Sequence, residues 1–294
     1  MGRVDAYLGG PICDPADRGV MVERMLRASR RPMVFYVRAP MAVTLAEAGL
    51  KTAGIGVDRV LDVDALLEAP PKPVRGARRK ADKAGFSIEE VAFGDVDRAR
   101  LDAISRTYLA NAEIEREIAF LNRPMSYADD GMRRLFVLRQ RDRVFGFAVL
   151  NAIFRDGRVE SYLLDLLRLE PTKQWGVWLA TVHALAARLR DEGLGLSVGF
   201  CPLHDLWHPP GASRALRLQL DRMEAWLSSA QYLRRLYELK ATLPGSWEPR
   251  SMAVCTRSAP RALYAFMEAS GVGFDYLFGP DLLRVLGRGL TGRG

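Results

Sequence analysis

Three apolar runs separated by short polar turns, then a loop, a long apolar-faced helix and one further apolar run, constrain this chain more than anything else in it. Residues 135–138, 144–154 and 159–169 are rich in Leu, Val and Phe. They are separated by Gln140-Arg141-Asp142-Arg143 and by Arg155-Asp156-Gly157-Arg158. An Asp-Gly pair between two such runs is a hairpin signal, and two successive hairpins make an antiparallel meander. A loop over 170–176 leads into a helix over 177–190, and 194–200 supplies the next strand.

The rest of the chain reads as α/β. A helix over 17–30 precedes a buried strand at 32–37, and a helix over 41–48 stops at Gly49. Pro70, Pro71 and Pro73 mark a hinge between subdomains. A basic helix follows, with Arg75, Arg78, Arg79, Lys80 and Lys83, closed by Gly85-Phe86. A helix over 96–111 precedes an irregular stretch holding Glu117, Phe120, Arg123 and Pro124. At 294 residues the chain fits two domains.

The formal net charge of +8 suits a polyanion partner or, equally, a solvated basic surface. Cys13, Cys201 and Cys255 are odd in number and far apart, with no metal-ligand spacing. A reducing cytoplasm is the expected compartment and no metal is expected. The opening MGRVDAYLGGPICDP lacks the apolar core of a signal peptide, and no run approaches the ~20 apolar residues of a membrane span.

Meander, loop, helix, strand is the element order of the acyltransferase fold named after the histone N-acetyltransferases. The expected class is therefore α+β or α/β, with two tandem domains like the GCN5-related N-acetyltransferases (GNAT), built on mixed central sheets. Several segments resemble, in the same order, the C-terminal catalytic domain of phosphatidylglycerol lysyltransferase. They are Lys240-Ala241-Thr242-Leu243-Pro244-Gly245-Ser246-Trp247-Glu248-Pro249-Arg250, then Ser161-Tyr162-Leu163-Leu164-Asp165-Leu166-Leu167-Arg168, and Arg78-Arg79-Lys80-Ala81-Asp82-Lys83-Ala84-Gly85-Phe86. Gly10-Pro11, Asp14-Pro15 and Phe35-Tyr36-Val37 extend the likeness toward the amino terminus. Thr242 stands where the family carries a second lysine, and Ser251 where it carries an aromatic residue.

The resemblance implies domains at residues 1–90 and 91–258, followed by a helical tail at 259–294. It implies transfer of an amino acid from aminoacyl-tRNA, as co-substrate and with no other cofactor, to a lipid or small-molecule hydroxyl or amine. An aminoacyl ester is already activated, so the enzyme's tasks are positioning and charge stabilisation. The residues set to these tasks are Asp165, Arg168, Lys240 and Glu248. Asp165 would hold an ammonium or orient the acceptor, and Arg168 would serve phosphate or oxyanion. Ideal pleating puts these two on opposite faces; a bulge or the strand end brings them together. Tyr162, Glu117, Arg123 and Arg250 are expected at the substrate.

Arg75, Arg78, Arg79, Lys80 and Lys83, with Lys173, Gln174, Trp175 and Gly176, are expected on the tRNA. Trp175 or Trp178 can stack on a terminal adenine or pack in the core. Each assignment has a structural alternative: a strand-edge ion pair for Asp165 and Arg168, a Glu248–Arg250 pair beside a buried Trp247, a solvated basic helix. His183 reads as a core histidine, and His204 and His208 as loop residues rather than a metal pair. No stable protein partner is expected. Contact with an anionic membrane is, and the basic, amphipathic stretch from Pro280 is one place for it. Two other functions remain open: a coenzyme A-dependent N-acyltransferase, and a non-catalytic RNA- or membrane-binding protein.

Overall fold

The computed structural model describes residues 5–111, 117, 123–155, 157–171, 176–227 and 231–255. In chain order the elements are β1 (Asp5–Leu8), α1 (Arg18–Ala28), β2 (Pro32–Val37), α2 (Ala39–Glu47), β3 (Lys51–Leu61), α3 (Val63–Glu68), α4 (Lys72–Lys83) and β4 (Phe86–Val91). There follow α5 (Arg98–Ala110), β5 (Arg133–Gln140), β6 (Arg143–Arg155), β7 (Arg158–Leu169), α6 (Val177–Arg190), β8 (Gly195–Pro202), α7 (Arg214–Leu227), α8 (Gln231–Ala241) and β9 (Gly245–Val254). Among the described residues no helix is long and apolar enough to cross a membrane.

The strands form one mixed sheet in the order β1-β2-β9-β3-β8-β7-β6-β5-β4. Its right half is the meander β4-β5-β6-β7, antiparallel throughout, with β8 added parallel to β7 after the α6 crossover. This is the expected GNAT-like α+β arrangement. β8 pairs with β7 only through Ser161–Leu163. Its other edge pairs with β3 from Ser197 to Pro202, while its pairing with β7 ends at Ser197, so the two parallel strands part toward their C-terminal ends. Residue 90 lies inside β4, and β9, from the far end of the described chain, lies between β2 and β3.

The main core sits between the meander and α6. Leu179, Val182, Leu185, Ala186 and Leu189 are buried along one helix against Phe136, Leu138, Ala148, Leu150 and Leu164. Burying each leucine contributes about 1.5–3 kcal/mol. The expected hinge at Pro70–Pro73 is instead a helix corner. Pro71 caps α4 and Pro73 occupies its first turn, where a missing N–H costs nothing. Leu66 of α3 and Val74, Ala77 and Ala81 of α4 enter the same core as α6, which fixes the corner. The opposite face is covered by α5, which packs on Leu135, Val137, Phe147, Val149 and Leu166.

Candidate functional site

Consecutive residues of β7 change sheet face because of one irregularity. Leu150 pairs with Leu164 and Val149 with Leu166, so Asp165 has no partner across the ladder. It is the extra residue of a β-bulge. Leu164 lies in the α6 core and Leu166 in the α5 core, although period-two pleating would put both on one side. The bulge, one of the two ways expected to bring Asp165 and Arg168 together, aims both at the segment around Arg123.

There the Arg123 Nε donates to Asp165 Oδ2 at 2.7 Å, and its Nη2 to Asn151 Oδ1 at 3.0 Å. Arg168 Nη1 donates to Glu117 Oε1 at 2.8 Å and Nη2 to the Arg123 carbonyl at 2.7 Å. Arg168 is buried, 1% exposed, and its Nε has no hydrogen-bond partner. Burial pushes the Asp165 carboxyl above its usual range, and the Arg123 guanidinium opposes this. Four expected residues thus form one cluster of alternating charge, to which the structure adds Asn151. The strand-edge pair is not observed: Asp165 meets Arg123, and Arg168 meets Glu117 and the Arg123 carbonyl.

Tyr162 does not join them. It lies on the α6 face of β7, in the core with Leu164, with the Arg134 guanidinium 5.3 Å over its ring. It is three residues before the bulge, where the ordinary alternation still holds.

The second cluster lies on the other side of the parting strands, where β9 pairs with β3. Glu248 pairs with Asp58 and Arg250 with Gly56. Asp58 is 1% exposed and Arg250 3%. Arg250 Nε and Nη2 approach Asp58 Oδ2 at 2.8 and 2.6 Å, and the Tyr36 hydroxyl donates to the same oxygen at 2.6 Å. Asp58 Oδ1 is buried without a partner, the kind of atom a ligand or ordered water satisfies. Arg250 Nη2 also meets Glu248 Oε2 at 3.1 Å, and Arg38 Nε lies 3.5 Å from that oxygen. Burial pushes the Tyr36 phenol well up, and Asp58 adds to the effect.

Tyr36 has φ 65°, a conformation that costs an aromatic residue about 1–3 kcal/mol and concentrates at functional sites. It falls in a register shift between Val34 and Val37. Lys240, at the end of α8, is 5% exposed and donates from Nζ to the Phe200 carbonyl at 3.0 Å. Burial lowers its pKa, opposed by Cys201 and Asp58. Arg250, expected at the substrate, is therefore bound first to Asp58, and half-exposed Glu248 is the cluster's more accessible carboxylate. Trp247 is stacked rather than buried. Its ring lies 4.6 Å from that of Tyr237, which lies 4.8 Å from His204, and the Arg59 guanidinium lies over it at 4.8 Å. Among the described residues no hydrogen bond or ion pair joins the two clusters, which flank the divergence of β7 and β8.

The basic helix is α4. Arg75, Arg78, Arg79, Lys80 and Lys83 are all exposed, while Val74, Ala77 and Ala81 face the core. Gly176 caps α6 at φ 97°, and a Cβ there would lie 2.8 Å from that of Ala77. The α4 helix therefore sits against the N-terminus of α6. Lys173, Gln174, Trp175 and the stretch from Pro280 lie outside the described residues; Trp178 packs against the main core. His183 is buried, 8% exposed, with Nε2 3.3 Å from Arg78 Nη1. His208 accepts the Gly54 N–H at Nδ1 and meets Asp221 at Nε2, so both ring nitrogens are engaged and it is unsuited to act as a base.

Sequence reasoning missed Tyr36, Arg38, Asp58 and Asn151 as members of these clusters. Asp58-Arg59 in the middle of an otherwise apolar run, Gly54-Ile55-Gly56-Val57 to Val60-Leu61, was the signal available. A charge inside a buried strand needs a partner.

A model of the family described as phosphatidylglycerol lysyltransferase, C-terminal, matches residues 1–254. Among solved structures, the C-terminal domain of a putative lysylphosphatidylglycerol synthetase from Agrobacterium fabrum superposes with a TM-score of 0.67 at 22% identity, covering 93% of this chain and 85% of that one. L-PGS from Bacillus licheniformis gives 0.71 at 14% identity, covering 92% and 84%. FemX gives 0.52 at 11%, covering 88% and 82%. At these identities the structures establish a shared fold. Comparison with the curated proteins found none that matches. The match of the family model over residues 1–254 establishes that this chain belongs to the phosphatidylglycerol lysyltransferase C-terminal family.

Proposed function

We propose that the protein is an aminoacyltransferase that moves an amino acid from aminoacyl-tRNA to a hydroxyl or amine, with a lipid as the favoured acceptor and a small molecule as the alternative. The observation that carries the reading is the β7 bulge, which sets a carboxylate and a buried guanidinium together beside the gap between β7 and β8. Transfer forms a bond from the acceptor oxygen or nitrogen to the ester carbonyl carbon and breaks the bond to the tRNA ribose oxygen, which takes up the acceptor's proton and leaves as the ribose hydroxyl. Arg168, with one unpartnered N–H, is suited to the developing oxyanion, and Asp165 to the acceptor proton or the donor ammonium. Across the gap, Lys240 and Glu248 supply a cation and a carboxylate for the ends of the substrates.

The exposed cations of α4 are suited to the tRNA backbone, because phosphate contact needs clustered charge rather than a particular sequence. The same helix weighs against the coenzyme A reading. A pyrophosphate in that fold sits at the N-terminus of the helix after the loop, and here Ala77 abuts Gly176 at that place.

The test is a filter assay with a panel of radiolabelled aminoacyl-tRNAs, with and without extracted lipids or cell metabolites. Acceptor-dependent loss of label is expected from at least one tRNA, and Asp165→Asn should remove most of it while leaving tRNA binding intact. No loss from any tRNA, with a thermal shift on coenzyme A thioesters, would transfer the assignment to the N-acyltransferase reading.

A further inference from the structure

Outside the two clusters, α7 and the turn before it build a surface that transfer chemistry does not use. Three arginines of α7, Arg214, Arg217 and Arg222, are exposed, and among the described residues none has a side-chain hydrogen bond or ion pair. The two carboxylates of the helix are committed elsewhere. Asp221 meets His208 Nε2 at 2.8 Å, and Glu224 accepts the Leu206 N–H at 3.3 Å. His208 accepts the Gly54 N–H through Nδ1 at 3.0 Å, so Nε2 carries the proton and donates. At Gly54 a Cβ would overlap the Trp207 carbonyl oxygen.

Leu206 and His208 are thus tied down on either side of Trp207, a residue left 40% exposed. Leu218, 46% exposed, lies four residues from both Arg214 and Arg222, on the same helical stripe. Leu216 and Leu220 are buried in the core beneath, which fixes which face of α7 points outward.

We propose that this face docks on an anionic lipid bilayer, with Trp207 and Leu218 entering the interface and the three arginines meeting headgroup phosphates. Charge alone would suit RNA equally. An exposed aliphatic side chain between Arg214 and Arg222 adds nothing to contact with RNA, whereas Leu218 and Trp207 both gain by entering a lipid interface. The inference deepens the lipid-acceptor reading above, and its test needs no turnover, so the two fail separately.

The test is flotation of the full chain with vesicles of phosphatidylcholine alone or with phosphatidylglycerol added, beside a filter-binding assay with tRNA. The chain should float with the anionic vesicles only. The double variant Trp207→Ser/Leu218→Ser should bind them at least tenfold more weakly at unchanged tRNA affinity. Replacing Arg214, Arg217 and Arg222 by Ser should weaken vesicle binding about fivefold for each arginine removed, since each contributes about 1 kcal/mol near an anionic surface. Circular dichroism checks that every variant is folded. Wild-type chain that stays with the unbound fraction, or a Trp207/Leu218 variant that floats like wild type, overturns the proposal. Arginine variants that lose tRNA and keep vesicles would assign the face to RNA instead.

Discussion

Asp165 carries a carboxyl that burial raises and Arg123 lowers, and the balance leaves it above the ordinary carboxylate range. If transfer needs this group ionised, activity falls as pH falls through that raised value. Arg123→Gln removes the strongest opposing charge, so the acid limb of the pH–rate profile should move to higher pH. Asp165→Asn should remove the limb altogether along with most of the rate. An Arg123 variant whose limb stays in place would show that Asp165 is not the group being titrated. At this scale Asp165 and Arg168 were named through the motif they share, and Glu117 and Arg123 as charges of an irregular stretch; that the four meet was not legible. Nor was Tyr36, because its left-handed backbone leaves no trace in residue type. The bulge was expected only as one of two alternatives, because Leu163-Leu164-Asp165-Leu166-Leu167 carries no glycine to place it.

Between elements, the contact of α4 with the start of α6 is the one most exposed to a single change. Gly176→Ala asks an L residue to hold φ 97° with its Cβ 2.8 Å from that of Ala77. A loss of about 1–3 kcal/mol in urea unfolding is expected. Adding Ala77→Gly should recover the steric part and leave the backbone part. His183 lies at the same contact, its pKa lowered by burial and then by Arg78. A lowered folded value means that the unfolded chain takes up the proton first. Stability is therefore lost as pH falls below about 6.5, and His183→Gln should flatten that loss in melts followed across the range. Most of these elements were legible: α6, β2 and the meander follow from apolar periodicity and turn chemistry. β3, α7 and α8 were not drawn, because Gly54 and Gly56 interrupt the β3 run and the arginines of α7 and α8 mask a narrow apolar stripe.

On the scale of the whole molecule, β9 holds the sheet together. It pairs with β2 on one side and β3 on the other, so a strand near residue 250 closes contacts made by residues near 35 and 55. Sequence pattern identifies strands but not their partners, and chain neighbours are the usual partners; this insertion was therefore unreadable. Its consequences are specific. Met252 and Val254 complete the core under α7, and Ala253 completes the core under α1 and α2. Arg250 neutralises Asp58, which is otherwise a buried charge with only a tyrosine hydroxyl for company. A chain ending at residue 244 loses all of these together and exposes two long strand edges. It should therefore aggregate or unfold without a cooperative transition, a larger effect than Arg250→Met, which removes the charge pair alone. Calorimetry and limited proteolysis distinguish the outcomes. If the shortened chain melts in one transition with the full chain's enthalpy, β9 is an accessory strand. If the right half stays resistant to protease while residues before β3 are cut, the meander with α6 and β8 is the unit that carries the sheet, and β9 is what recruits the amino-terminal strands to it.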